Sequence, residues 1–108
     1  MGWRNRIVEN GEETPDKLIE NPNNWRIHPK NQQAALAAVL DEIGWVQDVI
    51  VNRTTGHLMD GHLRVQLALQ RGETVIPVKY VELSEEEEKL ILQHLIQLEQ
   101  WQGLIRTY

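Results

Sequence analysis

Apolar residues recur along this chain in two rhythms, and the switches between them mark out its elements. Val49, Ile50 and Val51 form a β-branched run between Asp48 and Arg53. Thr54-Thr55-Gly56 then turns the chain and His57-Leu58-Met59 returns, which predicts a hairpin. Thr74 to Val81 is also strand-like, with Pro77 predicting an edge position or an irregularity. Trp3 to Val8 predicts a short edge strand ended by Gly11. Elsewhere the period is helical. Leu36, Val39, Leu40 and Ile43 lie between a candidate cap, Asn31, and a stop at Gly44. Gly61 opens a second helix that ends at Arg71-Gly72, with Leu63, Leu67 and Ala68 on its core face. Leu90, Ile91, Leu95, Leu98 and Trp101 predict a C-terminal helix over about 85–103. Thr14-Pro15-Asp16 gives a cap followed by proline at the first helical position, so Pro15–Glu20 is predicted as a short helix. Asn21-Pro22-Asn23-Asn24 breaks it. With no internal repeat or linker, the pattern predicts one small α+β domain over residues 1–108, a mixed β-sheet packed with helices.

Composition narrows the chemistry. The 108 residues are 41% hydrophobic and 25% charged, ordinary globular usage that argues against wholesale disorder. The absence of cysteine removes disulfides, thiolate metal sites and thiol nucleophiles. Net charge is −5, against a surface that is basic all over. That charge is uneven: residues 84–108 hold five acidic and two basic side chains, and four of the acids are Glu85–Glu88. Ser84 precedes them at capping-box spacing from Glu87, so the run reads as a solvated helix start whose acids suit the positive end of the helix dipole. Ser84 is the sole serine, which leaves little for a serine triad. The four histidines form no HExxH pair, and His94 reads as a packed or interfacial residue. No apolar run approaches the roughly 18 residues of a membrane span, and a cytoplasmic, soluble protein without a membrane partner is expected.

Two segments concentrate functional chemistry. In Leu58-Met59-Asp60-Gly61-His62-Leu63-Arg64 a strand ends, a glycine allows a tight turn, and a helix begins with arginine in its first turn. Such a junction offers backbone N–H groups and a positive dipole end to a phosphate. Arg64 can add a bidentate contact, and His62 a hydrogen bond or acid–base catalysis. Asp60 can orient His62, hold a hydrated Mg²⁺, or cap the helix. The competing structural account makes Asp60 the N-cap and Arg64 a surface residue. The second segment, Asn21 to Pro29, gathers amides, Trp25, Arg26 and His28 in a stretch too irregular for core. It suits either a binding loop or turn chemistry with Trp25 as a lid.

The order of these pieces resembles the ParB N-terminal domain of the ParB/sulfiredoxin superfamily. Asn21-Pro22-x-x-x-Arg26 looks like its NPxQPR segment. Gly44-Trp45-Val46-Gln47-Asp48-Val49-Ile50-Val51 looks like GxxQPIxV, and Asp60-Gly61-His62-Leu63-Arg64 looks like its GERR box or a DGHxR variant. The resemblance runs from about Thr14 to Leu98. It implies a nucleoside triphosphate held with Mg²⁺, phosphates lined by Gly61, His62 and Arg64, Arg26 and Asn24 facing them, and Gln47 beside them. The identity of any metal stays unassigned from the residues themselves. The form with NPxNWRxHP and DGHxR looks most like stand-alone or methyltransferase-fused domains of phages and mobile elements.

The departures matter equally. GERR has lost its glutamate and one arginine and gained His62, and the proline of the second motif is Asp48. No ENxxR segment occurs in Gln93–Gln102, which weighs against CTP turnover. Without cysteine, sulfiredoxin chemistry is excluded. The helix-turn-helix domain that gives the family's partition proteins sequence-specific DNA binding is not expected here. The leading expectation is a nucleotide (CTP/ATP)-binding domain of a DNA-related system, partnered by DNA or by a DNA-modification or partition protein. Two alternatives stay open. One is a metal-dependent nuclease or phosphoryl-transfer enzyme with Asp60 and His62 catalytic. The other is an interaction or homodimerisation module using Leu95, Leu98, Trp101 and Leu104 of the C-terminal helix.

Overall fold

The computed structural model describes residues 2–18 and 30–96. Strands β1 (Ile7–Glu13), β2 (Val49–Asn52), β3 (Leu58–Asp60) and β4 (Ile76–Val81) form one mixed sheet in the order β1-β4-β2-β3. β1 runs antiparallel to β4 and β3 antiparallel to β2, while β2 and β4 are parallel, with Val49 beside Val78 and Asn52 beside Val81. Helices α1 (Lys30–Glu42), α2 (His62–Arg71) and α3 (Glu85–Ile91) complete the α+β architecture, and a π-helical segment continues α3 over Leu92–Ile96.

Strand alternation divides the core between the two faces of the sheet. Val49, Val51, Leu58, Ile76 and Val78 point to the α2 side and pack with Val65 and Ala68. Met59, one residue after Leu58, joins Leu83 and Leu92 on the α3 side, with Ile50 and Val81 alongside. The sheet is thus sandwiched between α2 and α3. On α2 the expected core residues Leu63, Leu67 and Ala68 are buried, and Gly72 ends the helix in the left-handed conformation (φ 71°).

Several sequence expectations need correction. The first strand lies later than Trp3–Val8 and runs through Gly11, because its ladder to β4 continues from Ile7 opposite Val81 to Glu13 opposite Ile76. Pro77 sits in an internal strand. It stands opposite Glu12 of β1, while the ladder to β2 begins only at Val78, so on the β2 side Pro77 lies just outside the pairing. The short helix is a single 3₁₀ turn over Pro15–Lys17, and Leu18 after it is extended. Asn31 lies inside α1 rather than capping it, and no residue of α1 is buried; Val39 and Ile43 are exposed. The helical period there located a helix but not a core element. In α3, Leu90 is exposed and Ile91 only partly buried, and the buried residue is Leu92 in the π-helical segment that follows. His94, in the same segment, is exposed, which contradicts the packed reading but not the interfacial one. Leu98, Trp101 and Leu104 lie outside the described residues. Among the described residues, no helix is long and apolar enough to cross a membrane.

The capping box at Ser84 forms as its spacing predicts. Glu87 N–H donates to Ser84 Oγ (3.2 Å) and Ser84 N–H to Glu87 Oε1 (2.9 Å). Arg6, before β1, reaches the same carboxylate at 2.8 and 2.9 Å and also donates to the Glu82 carbonyl. The Arg6 hydrogen bonds first, and the Ser84 amide second, hold the Glu87 carboxyl down at about 2. A carboxyl whose pKa is depressed by folding stabilises the protein above its unfolded value of roughly 4.3, and that contribution fades as pH falls toward the folded value. Chemical denaturation of Glu87→Gln should therefore show a lower midpoint than wild type at pH 6. The two midpoints should converge as the pH approaches about 2.

Candidate functional site

The turn from β3 into α2 is built around Gly61. Its φ of 99° and ψ of 23° are left-handed, and it is the N-cap of α2 without offering a side chain to the first turn. Asp60 is therefore the last residue of β3 and not the cap. Position 61 excludes a side chain on a second ground: a Cβ there would stand 2.6 Å from Val49 Cγ1 and 3.0 Å from Arg64 Nη2. The close approach to β2 seats the start of α2 against the sheet. It also brings the Arg64 side chain back across the glycine.

Arg64 is not a surface arginine. Its side chain is 13% exposed, pairing with Asp60 Oδ2 at 3.6 Å, one helical turn earlier, and donating from Nη1 to the Gln47 carbonyl at 3.4 Å. Burial lowers the guanidinium pKa, opposed by the charges of Asp60 and Asp48. An arginine nonetheless stays protonated in any ordinary pH range. Asp48 in turn pairs with Lys79 of β4 at 3.4 Å. Two cations and two carboxylates thus gather where β2 begins, β3 ends and α2 starts. His62 occupies the first helical position, half-buried.

Asp60, Gly61, Arg64 and the main chain of Gln47 are brought together, with His62 in the adjoining helical turn. The Gln47 side chain is exposed, and its contact to Arg64 is through the backbone carbonyl. Arg26 and Asn24 lie outside the described residues. Sequence reasoning missed Lys79, which neighbours Ile50 in the parallel ladder. Its signal was a lone basic residue in an otherwise apolar strand. Asp48 was noticed only as a missing proline. Among the described residues, no three His, Asp or Glu side chains converge as a metal site. The oxygen donors present, Asp60 and Asp48, are of the hard type that suits a hydrated Mg²⁺ sharing its shell with phosphates.

A separate polar cluster, unanticipated in the sequence, lies at the far end of β2. Glu88, read as a solvated acid, is 2% exposed. Its Oε1 accepts from Asn52 Nδ2 (3.0 Å) and Thr55 Oγ1 (2.6 Å), and its Oε2 from His57 Nδ1 (3.0 Å). Asn52, fully buried, also exchanges hydrogen bonds with the backbone of Leu83.

No protein-family model matches the chain, and no curated protein matches it in sequence. Solved structures do. The Pnob8-like ParB-N domain in its C222₁ crystal form superposes with a TM-score of 0.69 at 19% identity, over 82% of this chain and 35% of that one. The C-terminally truncated chromosome-partitioning protein ParB from Caulobacter crescentus, complexed with CTP-γ-S, superposes with a TM-score of 0.66 at 21% identity, over 82% of this chain and 53% of that one. The chain therefore has a ParB N-terminal-domain-like fold and spans only about a third and about half of those two chains.

Proposed function

We propose that this domain binds a nucleoside triphosphate, CTP first among them, as the nucleotide module of a DNA-partition-type system. The observation that carries this reading is the left-handed Gly61 with the Arg64 guanidinium folded back across it. A glycine at this position lets phosphate oxygens approach the backbone at the positive end of α2, while Arg64 supplies a planar pair of donors beside it. His62 adjoins the same oxygens from the first helical turn, and Gln47 lines the approach from the β2 side. Arg26 and Asn24 belong to the same proposed site through the resemblance of their segment. The likeness in fold to a partition protein solved with a CTP analogue supports CTP over other triphosphates. Asp60 and Asp48 are the residues that would hold a Mg²⁺ ion, whose chemistry there is to neutralise phosphate charge.

Titration calorimetry with CTP, ATP and GTP in Mg²⁺ tests the reading. CTP is expected to bind most tightly, and Arg64→Ala to weaken it at least about tenfold through loss of a charge-assisted contact. If none of the three binds below millimolar concentration, or if Arg64→Ala binds as well as wild type, the proposal fails.

A further inference from the structure

The charges around Arg64 bear on how the site accepts its ligand. Lys79 and Arg64 are matched by Asp48 and Asp60, so the protein neutralises its own cations at this point. The Asp60 side chain is 14% exposed and Arg64 13%, so the pair is screened from solvent more than a surface ion pair. Yet both contacts to the guanidinium, 3.6 Å to Asp60 and 3.4 Å to the Gln47 carbonyl, exceed the ~2.8 Å of a strong charge-assisted bond. The arginine is placed over Gly61 but loosely held there. What partners it is a carboxylate, the side-chain group nearest to phosphate in charge and in oxygen geometry.

Taking the nucleotide reading as its premise, we propose that Asp60 is an internal competitor for the ligand's phosphate on Arg64, released when Mg²⁺ engages its carboxylate. A polyphosphate arriving without metal meets an arginine already paired and two carboxylates of its own sign. With Mg²⁺ present, Asp60 has an alternative partner, Arg64 is freed to turn its donors to phosphate, and the like-charge repulsion is offset. Asp60 thereby makes the site prefer the metal complex of the nucleotide over the free anion. It acts as a positioning residue through Arg64, in place of a general base.

The probe is inorganic triphosphate, titrated calorimetrically in EDTA and in MgCl₂ against wild type, Asp60→Asn and Arg64→Ala. Asp60→Asn should tighten binding in EDTA by about tenfold and lower the ratio of Mg²⁺ to EDTA affinity by a similar factor. A merely structural role would weaken binding in both buffers alike. That result, or an unchanged ratio, overturns the proposal. If Arg64→Ala abolishes binding while Asp60→Asn leaves the ratio untouched, the nucleotide reading stands and only the competitor role falls. Absence of triphosphate and CTP binding by wild type in either buffer removes both. Should circular dichroism show Asp60→Asn unfolded, Asp60→Ser carries the same expectation and the same refutation.

Discussion

Gly61→Ala is expected to destabilise the domain by about 3 kcal/mol, lowering the thermal midpoint by roughly 15 °C. Two independent costs add here. An L-residue at φ 99° is strained whatever space surrounds it, and the new Cβ would press on Val49 Cγ1 at 2.6 Å, inside any real carbon–carbon contact. Val49 cannot yield easily, because it is fully buried between Leu58, Val65 and Val78 on a central strand. Relief must come from lifting the start of α2 off the sheet, which would carry Arg64 away from the glycine and remove the proposed phosphate seat. Differential scanning calorimetry of Gly61→Ala checks the stability. Gly72→Ala is the control: it too is left-handed, at φ 71°, but its Cβ meets nothing within 4 Å. It should lose only the backbone part, about 1 kcal/mol. Equal losses at the two glycines would mean that the contact with Val49 contributes nothing.

That contrast shows how unevenly the sequence displays its constraints. Gly61 and Gly72 were both legible as helix boundaries, because punctuation is local. The clash behind Gly61 was not, since it depends on β2 passing beneath α2. The hairpin, α2 and the capping box at Ser84 were equally readable from neighbours in sequence. Misreadings fell where partners were distant. Pro77 pointed to an edge or an irregularity, yet its strand lies between β1 and β2, and only the β2 ladder leaves it out by starting one residue later. The apolar period of α1 gave the right element and the wrong burial. At the site, Asp60, Gly61 and Arg64 were found because they share five residues of sequence. Lys79 was missed because only the parallel β2–β4 pairing brings it to Asp48. Arg26 and Asn24 were reached through resemblance alone and lie outside the described residues.

Glu88 is the case in which identical letters conceal different physics. Four glutamates in a row give no sign of which one faces the sheet, but the fold turns the fourth onto the β2–β3 turn. There Asn52, Thr55 and His57 all direct donors at it. Glu88→Ala should cost about 3 kcal/mol, because it leaves these three polar groups around a cavity and breaks a buried charged contact. Glu88→Gln should cost only about 1 kcal/mol. Its carbonyl oxygen can still accept from Asn52 and Thr55, and its amide can donate to His57 Nδ1 once the imidazole proton moves to Nε2. Burial alone would raise the Glu88 pKa. The hydrogen bonds from Thr55, His57 and Asn52, with the His57 charge, outweigh burial and bring it below the ordinary value. The sign follows: the carboxylate's contribution is present above the usual carboxylate range and is lost as pH falls through the lowered folded pKa. Urea denaturation from pH 7 downward should therefore find wild type well above Glu88→Ala at neutral pH, with the gap narrowing only once the pH falls below the ordinary carboxylate range. A constant gap across that range, or a glutamine variant as unstable as the alanine, would show that Glu88 serves by filling space and not by accepting hydrogen bonds. Its clamp on the hairpin would then have to be assigned to Asn52 and its two bonds with Leu83.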